Sequence, residues 1–331
     1  MMGVITRRAL GAAALALPAV ARAQGNDQGN NAGSWPSRPV RVVVPFPPGG
    51  SNDAVARPLA EHLQARLGQP FVVENRPGAG STIGSAEVAR APADGYTLMV
   101  TSSTFSTSAA VQRTPYDPSG DFEAVAMAAV APLVVVAAPS FPPNNLAELA
   151  AYVRANPGKV DYGSSGPGSI NQMGAELFAQ KAGGLHMQHV PYRGMGPATT
   201  DLAAGTIQVI FTTIPSARGV ISSGRVKVLG WTGENRPASG PQAPTPRESG
   251  LPDYEAGIWW GLLARRGMPP AIRDRINAVA NEALSGGRLA AYLESEGALP
   301  TPLSAAEGDA FLQRDLAQWR EVASKGNIRI E

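Results

Sequence analysis

Residues 39–53, PVRVVVPFPPGGSND, constrain this chain more than any other stretch. Val40–Val44 is an almost unbroken β-branched run, the pattern of a strand buried on both faces. Pro45, Pro47, Pro48, Gly49 and Gly50 then force a sharp turn. Ser51, Asn52 and Asp53 are cap-type residues, and residues 54–67 have helical composition and spacing. Pro58 lies inside that helix and predicts a kink or a later start. A buried strand that turns into a new helix leaves unpaired backbone N–H groups at its corner, which suits a carboxylate or another small anion.

The 331-residue length allows about two domains with separate cores. With 16% charged and 44% hydrophobic residues the composition is that of a globular protein. At the N-terminus, Thr6-Arg7-Arg8 precede an apolar run over residues 9–20 and the small-x-small site Ala21-Arg22-Ala23. This predicts a signal peptide over 1–23, cleaved after Ala23 and too short to span a bilayer. Arg7-Arg8 can also be read as a twin-arginine signal; either route leads to a bacterial periplasm. Cleavage removes three of the 28 basic residues and none of the 26 acidic ones, so the mature net charge falls to about −1. Neither nucleic acid nor an anionic membrane surface is an expected partner at that balance. The absence of cysteine excludes disulfides. Residues 24–37 form a flexible leader, polar and Gly/Asn-rich as far as residue 34.

Beyond the first helix the chain alternates strands and helices. Strands are predicted at 71–74 and 96–101, with a helix at about 82–90 between them, which implies a parallel sheet. Gly78-x-Gly80-x-x-x-Gly84 is one residue too long for a dinucleotide fingerprint, so no nicotinamide cofactor is expected. Residues 122–137 read as two apolar strands broken at Ala131-Pro132, a crossover into a second domain. There strands at 160–162, 187–190, 207–213 and 226–231 alternate with helices at 146–155, 170–182, 198–204 and 216–223. A Pro-rich segment, 235–252, leads back to the first domain, followed by amphipathic helices at 269–284, 288–296 and 304–325. The expected lobes are 38–124 plus 232–331, and 125–231.

Each half places a Gly/Ser-rich turn immediately before a helix. If the halves face each other, both corners can hold a small carboxylate through neutral donors. The candidates are Gly49, Gly50 and Ser51, then Ser102 and Ser103, and Ser164, Ser165 and Ser169 on the far side. Here the motifs become specific. PFPPGGSNDAVAR, VVENRPGAGSTIG, ADGYTLMVTSS, GSSGPGS, HVPYRGMGPATTDLAAGTIQVIF and GIWWGLLARRGMPPAIRDRIN occur in order over the mature chain. The series resembles the periplasmic receptors of tripartite tricarboxylate transporters, the Bug family.

That resemblance implies an α/β, two-lobe periplasmic binding protein of type II-like architecture, each lobe a sheet flanked by helices, with a hinged cleft. It implies a small carboxylate ligand, delivery to the membrane components of a tripartite transporter, and action as a monomer without cofactor or metal. By motif position it adds Phe46, Asp53, Tyr192 and Thr213 to the ligand-facing set. Asp53 serves equally as a first-turn helix charge or as a cleft group. Tyr192 either leans over the ligand or packs between lobes, and Arg193 is either a carboxylate clamp or a solvated strand end. Trp259 and Trp260 are expected as hinge or core aromatics. Arg265-Arg266 depart from the family's usual Ala-Pro and mark a specialised surface.

Enzyme chemistry lacks its parts. His62 sits on a helix face, while His186 and His189 are expected on opposite faces of a strand and so cannot share a metal. Gly163-Ser164-Ser165-Gly166 does not have nucleophile-elbow spacing. An exported solute receptor is therefore the expectation. The alternatives are an enzyme on the same scaffold, or a receptor presenting its ligand to a sensor kinase.

Overall fold

The valine run is buried on both faces, as its composition requires. In a computed structural model of the chain, Val42 and Val44 of β1 (Val40–Val44) enter one core and Val43 enters another. The structure describes Met1, Gly3 and residues 35–192, 194–238 and 240–329; the signal-peptide and leader expectations fall almost wholly outside these, as does Arg193. The chain divides into Met1–Asn31 and one compact unit, Ala32–Glu331, and everything below lies in the second.

After β1 come α1 (Ser51–Leu67), β2 (Phe71–Asn75), α2 (Thr82–Ala89), β3 (Thr97–Ser102), α3 (Thr104–Val111) and β4 (Phe122–Pro132). A second run follows: β5 (Val134–Ala137), α4 (Leu146–Ala155), β6 (Asp161–Ser164), α5 (Ile170–Lys181), β7 (Gln188–Pro191), α6 (Met195–Ala204), β8 (Val209–Thr212), α7 (Ile214–Ser222) and β9 (Lys227–Trp231). The chain then returns through β10 (Gly257–Arg265), α8 (Pro270–Ala283), α9 (Gly287–Ser295), β11 (Leu299–Pro300) and α10 (Ala305–Lys325).

The strands form two sheets, one of six strands ordered β11-β4-β10-β3-β1-β2 and one of five ordered β7-β6-β8-β5-β9. Neither is wholly parallel, contrary to the expectation. β1 runs parallel to β2 and β3, but β10 is antiparallel to both β3 and β4. The second sheet likewise sets β5 antiparallel to β8 and β9. The cause is the return segment: β10 enters the first sheet from the second run, against the direction of β3. GIWWGLLAR alternates cleanly, with Trp260 and Leu262 in one core and Trp259 and Leu263 in the other. Both tryptophans are therefore core residues. α1 starts at Ser51 and continues through Pro58, so the proline does not delay it.

The two lobes meet where three backbone crossings converge. The wholly buried Thr232 accepts from Leu133 N through Oγ1 at 2.7 Å and donates to Ala256 O at 2.5 Å. Its own N–H bonds Leu133 O at 3.0 Å, and its carbonyl accepts from Ala256 N at 2.8 Å. α10 spans the junction, because Leu312 and Leu316 pack in a core of the first lobe while Trp319 and Val322 pack in that of the second. β4 lies in the first sheet through Pro132, so the chain leaves that sheet at the Ala131-Pro132 break, beyond residue 125. Ten of its eleven residues are apolar, Glu123 being the exception, so nothing in the composition before Pro132 marks a boundary.

Candidate functional site

The first corner is built by the turn after β1. Gly49 adopts φ +82°, a region glycine enters without strain, and this brings the chain back onto α1. The N-cap of α1 is Gly50, and no side chain caps the helix. Ser51, Asn52 and Asp53 form its first turn rather than preceding it, so their backbone N–H groups have no intrahelical acceptor. The helix dipole adds to their preference for an anion.

Asp53 braces this corner from within. Its side chain is only 6% exposed and accepts from Gly49 N at 3.0 Å, from Arg57 Nε and Nη2 at 2.9 Å each, and from Asn75 Nδ2 at 3.0 Å. Burial alone would raise its pKa, but the Arg57 guanidinium, the Gly49 N–H and the Asn75 amide outweigh that and hold it below the usual carboxylate range. Asn75 Nδ2 also donates to the carbonyl of Phe46 at 3.0 Å, so the whole turn hangs on one network. At the end of β3, Ser102 lies beside Asn52, with Asn52 Nδ2 3.4 Å from Ser102 Oγ. Ser103 is wholly buried, and its hydroxyl is used by β10: it accepts from Trp259 N at 2.8 Å and reaches Gly257 O at 3.2 Å.

The second corner follows β6. Gly166 adopts φ +126°, and Ser169 is the N-cap of α5, accepting from Gln172 N at 3.4 Å and donating to Gly166 O at 2.7 Å. Gln172 Oε1 in turn accepts from Gly168 N at 2.8 Å. Ser169-x-x-Gln172 is a capping-box spacing, a signal visible in the sequence. Ser165 donates to Asn171 Oδ1 at 2.7 Å, and Asn171 Nδ2 ties the corner to Phe211 O of β8 at 2.7 Å. Tyr192 joins through its backbone, with N to Ser164 O at 3.0 Å. Its phenol donates to Asp201 of α6 at 2.7 Å, and burial together with that carboxylate pushes its pKa up to about 12. Thr213 is the N-cap of α7, its hydroxyl 3.0 Å from that of Ser216.

The residues thus gather into two clusters: Phe46, Gly49, Gly50, Ser51, Asp53, Ser102 and Ser103 in the first lobe, and Ser164, Ser165, Ser169 and Tyr192 in the second. Thr213 stands two residues beyond Phe211, where Asn171 reaches β8. The helices that follow β3 and β6, α3 and α5, touch across the junction. Sequence reasoning missed the amide and guanidinium side chains of Asn52, Asn75, Arg57 and Asn171, which hold both clusters in shape. Arg266, one of the two unusual arginines, pairs with Asp309 through two 3.1 Å bonds within the first lobe.

A cavity of about 390 Å³ lies beside the junction rather than at either corner. Pro132, Gly233, Trp259, Phe311, Asp315 and Trp319 are among the residues around it, and none of the expected ligand residues is. Asp315 there accepts from Trp259 Nε1 at 2.8 Å and Trp319 Nε1 at 2.9 Å. Its lining mixes apolar side chains with the acidic Glu234, Glu255 and Asp315 and the cation Arg314. Among the described residues no group of His, Asp and Glu could hold a metal, and no helix is long and apolar enough to cross a membrane.

Two lobes, each an α/β sheet with a donor-rich corner, define a solute receptor. The chain matches the model of the tripartite tricarboxylate transporter family receptor over residues 55–328, and it belongs to that family. It is 34% identical to protein BugT of Bordetella pertussis over 91% of this chain and 93% of that one. An R. palustris protein, Rpa4515, solved with adipate, is 32% identical with a TM-score of 0.76, covering 89% of this chain and 99% of its own. MatC of Rhodopseudomonas palustris, solved with bound malate, is 33% identical with a TM-score of 0.72, covering 87% and 99%. The family is one of receptors, not enzymes.

Proposed function

We propose that this receptor captures a small organic acid, a di- or tricarboxylate or a similar carboxylate, between its lobes and delivers it to the membrane components of a tripartite transporter. The observation that carries the reading is the uncapped first turn of α1, which leaves Ser51, Asn52 and Asp53 N–H groups for an anion at the mouth of a braced turn. The ligand meets Phe46, Gly49, Gly50, Ser51, Ser102 and Ser103 from one lobe and Ser164, Ser165, Ser169, Tyr192 and Thr213 from the other. Several act through backbone N–H groups, since the hydroxyls of Ser103 and Ser169 are engaged within their own lobes. Asp53 contributes by holding the turn. Closure about the Thr232 crossing lets the two ends of the acid satisfy both corners, so binding favours the closed form. The adipate and malate held by relatives are the acids of first choice.

The lobes comprise residues 35–132 with 232–329, and 133–231. Residues 1–23 are the export signal, the receptor works in the periplasm, and it acts as a monomer. Calorimetric titration of the mature protein with adipate, malate and a tricarboxylate tests the reading. Saturable binding of at least one acid supports it; no heat from any of them overturns it.

A further inference from the structure

His189 takes no part in the reading above, yet it reaches the second corner directly. β7 runs parallel to β6 with His189 opposite Tyr162, and its ring stacks on the tyrosine at 5.1 Å and 23°. Ser164, two residues beyond Tyr162, shares that face. His189 Nε2 lies 2.6 Å from Ser164 Oγ. The Ser164 side chain is wholly buried, and Oγ also sits 3.1 Å from both Gly166 N and Gly166 O.

A hydroxyl has one proton and two lone pairs. Gly166 N–H can only donate, so it takes a lone pair; the hydroxyl's proton lies on the 3.1 Å contact to Gly166 O, an oxygen it shares with the Ser169 hydroxyl. One lone pair remains, and it faces His189. Burial lowers the imidazole pKa to about 4, so the ring is neutral and carries a single hydrogen. Full satisfaction of Ser164 places that hydrogen on Nε2.

We propose that His189 is a positioning residue: its Nε2–H, donated to Ser164, locks the hydroxyl onto both backbone groups of Gly166 and so sets the shape of the 165–169 corner. The consequence for affinity rests on the carboxylate reading above; the ordering of the turn does not.

The test uses the mature chain labelled with 15N-histidine at pH 7, without ligand. A long-range 1H–15N spectrum is expected to show His189 protonated at Nε2 and bare at Nδ1; the opposite tautomer overturns the proposal. Hydrogen exchange at the Gly166 amide is expected to quicken about tenfold or more in His189→Ala, to recover in His189→Gln, which keeps a side-chain N–H, and not to recover in His189→Glu, which offers only acceptors. Equal exchange in all four proteins overturns it. Titration with adipate and malate completes the set, with about tenfold weaker binding expected in His189→Ala and recovery in His189→Gln. If the unsubstituted protein binds no acid, the carboxylate reading falls, and the tautomer and exchange data still decide the role of His189. If it binds and His189→Ala binds equally well, the consequence for affinity is refuted, and the tautomer and exchange data decide the role of His189 in the turn.

Discussion

The carboxylate of Asp53 and the guanidinium of Arg57, one helical turn apart, meet through two hydrogen bonds of 2.9 Å at the start of α1. The pair closes a ring that also contains Gly49 N and Asn75 Nδ2, so the first corner keeps its shape without a ligand. A preorganised corner binds an anion with little ordering cost.

Asp53→Asn removes the charge and one acceptor from this ring. Because Arg57 is about half exposed, its share is screened, and a loss of about 1–3 kcal/mol is expected from the hydrogen bonds to a charged group. Urea denaturation measures it. Affinity for the acid should fall about tenfold as the turn loosens. Unchanged affinity with reduced stability would mean that Asp53 serves the fold alone.

Ser51→Pro separates backbone donation from folding. Ser51 is the first residue of α1, where proline fits, and Gly50 before it has φ −79° and ψ 173°, a conformation proline tolerates in its neighbour. The melting temperature should stay within a few degrees. Titration should show binding about ten- to a hundredfold weaker, the loss of one N–H bond to a charged ligand. Binding at full strength would remove this amide from the site.

Much of this was legible in the sequence, for identifiable reasons. Val42, Val43 and Val44 announce a strand buried on both faces, and the Gly49-Gly50 turn announces a helix start. β10 was not legible as a strand, because GIWWGLLAR has only one β-branched residue, Ile258, so its apolar run cannot be told from a buried helix, and its partners β3 and β4 lie far away in the chain. The antiparallel insertion followed from that omission. At the corners, composition identified the serines but not the task of each hydroxyl. Ser103 is taken by β10 and Ser169 by α5, and only the fold reveals these partners.

Thr232→Val tests the crossing between lobes. It removes the acceptor for Leu133 N and the donor to Ala256 O in a wholly buried place. A loss of about 1–3 kcal/mol for each stranded group is expected, read by thermal denaturation. Faster exchange of the Leu133 amide should accompany it. A neutral outcome would mean that water replaces the hydroxyl.

Two groups titrate in opposite senses between about pH 4 and 6. Burial pushes Asp315 up to about 6, against the bonds from Trp259 and Trp319. Its folded form therefore holds a proton that the unfolded chain has released, and the stability it contributes at low pH is lost as pH rises through 6. Burial lowers His189 to about 4, so the unfolded chain takes up a proton first. Its contribution is full above the ordinary histidine value near 6.5 and is lost as pH falls toward 4. Removing the histidine should therefore make the slope of stability against pH more negative, by up to about 1.4 kcal/mol per pH unit in that window, leaving the opposing contribution of Asp315 exposed. Denaturation of the unsubstituted protein and His189→Gln at pH 4.5 and 6 checks the sign. Parallel profiles would show that the imidazole is not buried as described.

The most direct measurement of the central claim is a crystal structure of the mature protein with the acid that it binds. We expect one carboxylate within hydrogen-bond distance of the Ser51 and Asn52 amides and the other end of the molecule against the 165–169 turn, with the lobes closed about Thr232. The acid seated instead in the cavity beside Asp315, or touching only one lobe, would contradict the account.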